Sequence, residues 1–275
     1  MEEPETSFAV RGQTAVITGG GGVLGSAMAC ALARAGVQVA VLSLHEASCA
    51  KVAASIQAEG GEAMAMACDV MDRAALERAR AAILRHFSAI DILINAAGGN
   101  RPAATTSGER AFFDLDPQAI EEVFSLNFTG TLLASQVFGK SLVAQGHGSI
   151  VNITSMNALR PLTRIPAYSA AKAAVANFTQ WLAVHMAREY SARIRVNALA
   201  PGFFLTEQNR FLLTEQETGA MTARGQAILD HTPMGRFGTP EDLVGTLLWL
   251  VSPASRFVTG TVIPVDGGFS AYSGV

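Results

Sequence analysis

Ser155, Tyr168 and Lys172 have the types and spacing needed for proton transfer. Tyr168 and Lys172 are four apart in an Ala-rich stretch, so a helix places both on one face. A free tyrosine hydroxyl titrates near ~10, too high for easy proton exchange at neutral pH. A neighbouring ammonium favours the phenolate and is expected to lower that value. Ser155 ends an apolar strand-like run upstream of Tyr168, and its hydroxyl can hydrogen-bond a reacting carbonyl or alcohol oxygen. A Tyr-x-x-x-Lys pair alone is common by chance. Its combination with a strand-end serine is not.

A second group of residues has no side-chain chemistry and is informative for that reason. Thr18-Gly19-Gly20-Gly21-Gly22-Val23-Leu24-Gly25 follows a β-branched run and opens an Ala-rich one. Gly20, Gly22 and Gly25 fit G-x-G-x-x-G, which brings bare backbone N–H groups to a pyrophosphate at a helix N-terminus. The acidic residue expected about 20 residues further on is missing. Ser43-Leu44-His45 stands there, with Glu46 next. Ser43 would not repel a 2′-phosphate and His45 could assist one, whereas Glu46 could face a 2′-hydroxyl. NAD and NADP both stay open.

Parallel strands and crossover helices can position these groups. Seven short runs read as strands: Ala15–Thr18, Val37–Leu42, Glu62–Ala67, Ile90–Asn95, Ser149–Thr154, Arg193–Asn197 and Thr261–Pro264. Helix-length stretches separate them, which predicts an α/β, Rossmann-type doubly wound parallel sheet covered on both faces. The final helix has Thr239 as N-cap, Pro240 at its first position, and Glu241 and Asp242 against its positive end. No linker, repeat or low-complexity block divides the chain. It reads as one domain over 1–275, with a tail at 1–10 and an irregular substrate-side lid region at about 202–238.

Composition narrows the partners. Hydrophobic residues make up 49% and charged residues 16%, as in a globular chain. A net charge of −3 gives no basic footprint for nucleic acid. No apolar run is long enough for a bilayer, and the acidic N-terminus does not read as a secretory signal. Cys30, Cys49 and Cys68 have no metal-ligand spacing and read as reduced thiols. The expectation is a cytoplasmic protein with no metal, no membrane and no nucleic-acid partner.

The Gly-rich loop, Asp69-Val70, Asn95-Ala96-Ala97-Gly98, Asn127, Ser155, Tyr168/Lys172 and Pro201-Gly202 together resemble the short-chain dehydrogenase/reductase family, in its order and over almost the whole chain. The resemblance implies strand order 3-2-1-4-5-6-7, a homotetramer and NAD(P)-dependent interconversion of a ketone and a secondary alcohol. It implies that the glycine loop from Gly19, with Ser43, lines the cofactor site and that Asp69 and Val70 contact adenine. It also implies that Asn95, Ala96, Ala97 and Gly98 pack the crevice, that Asn127 holds a water linking Lys172 to solvent, and that Pro201, Gly202 and Thr206 approach the nicotinamide. One departure is Val23, where the family's usual pattern has glycine.

A narrower resemblance, to the D-mannonate oxidoreductases (fructuronate reductases) within that family, rests on Ser155–Ala158, Arg160–Thr163, Gly202–Arg210, His231–Arg236 and Phe269–Tyr272. It implies D-fructuronate and D-mannonate as the reacting pair. A sugar acid calls for arginine on its carboxylate, and the candidates are Arg101, Arg160, Arg164 and Arg210. Asn100, Asn157 and Asn209 are candidates for hydroxyl contacts. Met156, Phe203 and Phe204 are candidate pocket walls. Two rival readings are another family activity (a polyol or sugar dehydrogenase, or a 3-oxoacyl reductase) and a non-catalytic nicotinamide-binding regulator.

Overall fold

The computed structural model describes residues 7–205, 213–215 and 219–274. Strands β1 (Thr14–Thr18), β2 (Gln38–Ser43), β3 (Ala63–Ala67), β4 (Ile92–Asn95), β5 (Gly148–Ile153), β6 (Ile194–Pro201) and β7 (Val262–Val265) form one sheet. Its order is β3-β2-β1-β4-β5-β6-β7, all parallel. This is the predicted topology. β1, β4 and β5 are buried on both faces, which is why they read as continuous apolar runs instead of alternating ones.

Helices α1 (Val23–Arg34), α2 (Glu46–Ala58), α3 (Arg73–Phe87), α4 (Pro117–Phe124), α5 (Gly130–Gln145), α6 (Pro166–Glu189), α7 (Ala223–Asp230) and α8 (Val244–Val251) surround the sheet. One core packs α1, α2 and α8 on one face through Met28, Leu32, Val52, Ile56 and Leu247. The other packs α3, α5 and α6 through Leu76, Ile83, Phe138, Leu142 and Met186.

The structure corrects three expectations about elements. The region between Pro201 and Gly238 is not wholly irregular, because α7 lies within it, capped by the Thr222 hydroxyl on the Gly225 N–H. The last helix begins as a 3-10 turn, Pro240–Leu243, before α8. The Asp242 carboxylate, expected only to complement the dipole, also accepts the Thr239 N–H and pairs with Arg236 at 2.7 Å. Strand β6 runs to Pro201, four residues beyond the predicted end, because its whole length is buried between β5 and β7.

Buried polar side chains tie the helices to the sheet below the site. Asn95 Nδ2 donates to Ser135 Oγ at 3.0 Å and to Asn152 Oδ1 at 2.8 Å. Asn152 Nδ2 donates to Thr179 Oγ1 at 2.9 Å. Neighbouring strands β4 and β5 are thus joined to α5 and α6 by side chains out of reach of water. Asn152→Ala should cost ~1–3 kcal/mol, since it removes two buried hydrogen bonds while Asn95 keeps Ser135 and Thr179 keeps Val175 O. The check is the midpoint of urea unfolding, which should fall without a change in the slope.

Candidate active site

The carboxyl ends of β1, β4, β5 and β6 open onto a cleft of about 370 Å³, at the point where the chain order reverses between β1 and β4. Gly19, Gly22, Val23, Leu24 and Gly25 line one side, and Ser155, Tyr168 and Lys172 another. Ala96, Gly98, Pro201, Gly202 and Phe203 complete the expected part of the wall. Phe204, a candidate pocket wall like Phe203, lines it too, as do Gly99, Ile153 and Thr154, which the sequence reading did not assign to the cleft.

The glycine side fits a dinucleotide pyrophosphate. Gly22 precedes α1 with no side-chain cap, so the first N–H groups of the helix meet the cleft without an internal partner. A Cβ on Gly25 would lie 2.3 Å from Gly19 O, so the turn closes only around a bare backbone. Gly19 takes the left-handed φ of +67° that the turn requires. Val23 replaces the family's glycine without difficulty, because it is already the first helical residue. Gly20 faces away from the cleft and packs on β2, with its N–H on Leu42 O at 2.9 Å.

The catalytic side is fastened from below. Thr154 Oγ1 donates to Lys172 O at 2.7 Å, and Lys172 Nζ donates to Ile153 O at 2.8 Å. Helix α6 is therefore pinned to the end of β5 at the turn that carries Tyr168 and Lys172. Ser155 lies beside the Tyr168 phenol closely enough to act on its charge, and its Oγ accepts the Asn157 N–H at 3.2 Å. Lys172 Nζ lies 5.6 Å from the Tyr168 ring centroid. The Asn127 side chain is wholly buried in a π-helical turn, Ser125–Thr129, between α4 and α5. Its Nδ2 donates to Gly99 O and Val123 O, both at 2.7 Å, and its Oδ1 accepts the Gly99 N–H. Such π-bulges are frequent at functional sites.

The electrostatics correct one expectation. Burial pushes the Tyr168 phenol above its ordinary value, Ser155 opposes that, and Lys172 does not bring it below. The same burial lowers the Lys172 ammonium to about 8. Desolvation is the largest influence on both groups.

Other predicted residues lie elsewhere. Ser43 Oγ sits against the outside of the glycine turn at Gly21. Asp69 accepts the Met71 N–H, Val70 packs on Gly130, and Ala97 donates its N–H to Thr18 Oγ1. Asn95 is in the buried network under the sheet. His45 is an exposed helix-start residue without a capping bond, and Glu46 is exposed beside it. Asn100 bonds Thr105, and Arg101 is occupied by Glu122 at 3.4 Å. Met156 is buried behind Ser155, and Arg160 is exposed. Asn157 and Arg164 line an adjoining cavity. Phe203 stacks edge-on with Phe269. Thr206, Asn209 and Arg210 lie outside the described residues.

Similarity to known proteins extends over the whole chain. A family model described as enoyl-(acyl carrier protein) reductase matches residues 22–270. An uncharacterized oxidoreductase of Bacillus subtilis (strain 168), UxuB, is 55% identical over 96% of this chain and 97% of its own. A Haemophilus influenzae crystal structure with bound NAD, provisionally named a D-mannonate oxidoreductase, superposes with TM-score 0.92 at 48% identity, covering 97% of this chain and 98% of that one. A Burkholderia cenocepacia J2315 gluconate 5-dehydrogenase in complex with NADP and tartrate gives TM-score 0.86 at 31% identity, covering 98% and 100%.

The buried ammonium predicts a pH-dependent stability. Because the folded Lys172 titrates near 8 and the unfolded one near 10.5, the unfolded chain holds more protons between those values. Its cost is full below about pH 8 and fades as pH rises toward 10.5. Lys172→Met should therefore stabilise the cofactor-free protein at pH 7, by on the order of 2–3 kcal/mol. Thermal unfolding at pH 7 and pH 10 is the check: the gain should shrink at the higher pH.

Proposed function

This chain belongs to the short-chain dehydrogenase/reductase family, and we propose that it interconverts the ketone and secondary alcohol of a sugar acid, D-fructuronate and D-mannonate, with NAD or NADP. The observation that carries this is that Ser155, Tyr168 and Lys172 line the same cleft that receives the glycine turn and the uncapped start of α1. The sugar-acid substrate is supported by the names of the Haemophilus and Burkholderia proteins.

The bound nicotinamide supplies or accepts hydride. In reduction Tyr168 gives its proton to the carbonyl oxygen, and its raised pKa keeps that proton in place through neutral pH. Ser155 donates to the same oxygen and fixes the hydroxyl of Tyr168 toward it. Lys172 places positive charge beside the phenol, which favours the phenolate when Tyr168 serves as base in oxidation. Asn127 holds Gly99 by two hydrogen bonds and packs with Lys172 around Gly98, which fixes the floor of the cleft beneath the ammonium. The first turn of α1 and Gly19, Gly22 and Gly25 hold the pyrophosphate. Asp69 and Val70 hold the adenine end, and Pro201 and Gly202 lie toward the nicotinamide.

The whole chain acts as one domain in the cytoplasm; no described helix is long and apolar enough to cross a membrane. A homotetramer is supported by the exposed Trp181 and Val184 on α6 and Tyr190 just after it, with Trp181 stacked on the half-buried His185 at 4.7 Å.

Tyr168→Phe tests the reading. Turnover of fructuronate should fall by ~10²–10⁴, while NADH or NADPH binding, followed by fluorescence, stays nearly intact. The wild-type panel should include tagaturonate, neutral keto sugars and an acetoacetyl thioester. Preference for the thioester would replace the sugar acid with a 3-oxoacyl substrate. Equal inertness of wild type and variant across the panel would favour a nicotinamide-binding regulator.

A further inference from the structure

A second cavity, of about 380 Å³, adjoins the catalytic cleft, with Thr232, Met234, Asp266 and Gly267 on its far side. Phe203 and Phe204 line both cavities and so form a shared wall. A wall with open space on either side loses packing contacts on both. Its position is then set by whatever holds its edges. Phe204 is buried, and the backbone around it is bridged to Gly238. The Gly238 N–H donates to Phe203 O at 2.9 Å, and the Leu205 N–H donates to Gly238 O at 3.0 Å. The half-buried Phe203 side chain is held differently. Its ring meets Phe269 edge-on, with centroids 5.2 Å apart, and both pack on the apolar cluster of Leu213, Ile228 and Phe237.

Phe269 stands in a tight turn after β7. The Asp266 carboxylate accepts the Gly268 and Ser270 N–H groups, both at 2.9 Å, and Asp266 O accepts the Phe269 N–H at 3.2 Å. The turn sits directly on the end of β6. The Gly202 N–H donates to Val265 O at 3.0 Å, and a Cβ on Gly202 would lie 2.6 Å from the Asp266 Cα. From this seat the Phe269 ring reaches two ways. One contact is to Phe203. The other is to His231, the C-cap of α7, edge-on at 4.8 Å. His231 meets Tyr272 at 5.1 Å, and the Met234 N–H donates to Gly267 O at 3.1 Å. Helix α7, the C-terminal turn and the wall of the cleft thus converge on one ring.

We infer that Phe269 is a positioning residue, which transmits the seat of α7 to Phe203 and so fixes the wall of the cleft at the nicotinamide end of the cofactor. This rests on the dinucleotide reading of the cleft and extends the site to the C-terminal turn. Phe269 does not itself line the cleft, so it acts through Phe203. The glycine turn and the start of α1 line the other side and hold the pyrophosphate without it. Loss of the Phe269 ring should therefore be felt at the nicotinamide and not at the rest of the dinucleotide. The sequence reading gave Phe269 no role at the site.

The test needs no substrate. Calorimetry on the full chain compares NADH, or NADPH if wild type prefers it, with the ADP-ribose portion of the same cofactor, which lacks the nicotinamide. Phe269→Ala should weaken the whole cofactor ~3–10-fold, the worth of an edge-on aromatic contact, and leave the ADP-ribose portion unchanged. Phe269→Leu, which keeps apolar bulk without the ring, should show the same split and serves if the alanine variant unfolds. Phe269→Tyr, which keeps the ring, should restore wild-type affinity. The loss should also vanish in a Phe203→Ala background, because the contact it removes is already gone. Equal weakening of both ligands alongside a lower melting temperature would make Phe269 a fold-stabilising residue only and overturn the inference. So would unchanged cofactor binding, or losses that add in the double variant. A wild type that binds neither ligand would instead sink the dinucleotide reading itself, a result distinct from any effect of the Phe269 variants.

Discussion

The end of β5 and the first turns of α6 are fastened by a lysine with no room to be elsewhere. Lys172 is 4% exposed, its ammonium is hydrogen-bonded to Ile153 O, and its own carbonyl receives the Thr154 hydroxyl. Taking an ammonium out of water is costly, and here the cost appears as a pKa drawn down to about 8. That liability fixes the phenol of Tyr168 against the hydroxyl of Ser155. The network of Asn95, Asn152 and Thr179 beneath it holds the two strands and two helices in register. A weaker attachment would leave three correct residues without a fixed geometry between them.

The site is assembled from two kinds of constraint. On the cofactor side the protein contributes absence: no Cβ at Gly25, no capping side chain at Gly22, and helix N–H groups left for an anion. On the substrate side it contributes excess: a left-handed arginine at Arg164 and buried oxygens without partners at Asn157 and Ser169. Both are unfavourable in the isolated fold and become favourable when a ligand of opposite charge arrives. Functional sites commonly store instability in this way.

Much of the fold could be read from the chain because burial on both faces leaves a direct mark. Short β-branched runs such as Ala15–Thr18 have few alternatives in a protein of this size. The meeting of Ser155, Tyr168 and Lys172 in one cleft was also legible, since the four-residue spacing of Tyr168 and Lys172 survives translation into any helix. Less was legible in the 202–238 region. Helix α7 is short, polar on average and started by Thr222, a weak signal among many threonines. The arginine candidates could be named but not ranked, because an ion pair such as Arg101 with Glu122 joins residues 21 apart.

The sequence by itself determined the element order, the parallel sheet, the phosphate-binding turn and the proton-transfer residues. Each of these depends on local spacing or on periodicity along the chain. Only the tertiary structure decided that burial raises the Tyr168 phenol and lowers the Lys172 ammonium, and that Asn127 sits in a π-helical turn behind Gly98. Those depend on burial and on distances between segments brought together by the sheet. A linear pattern of residue types carries neither quantity.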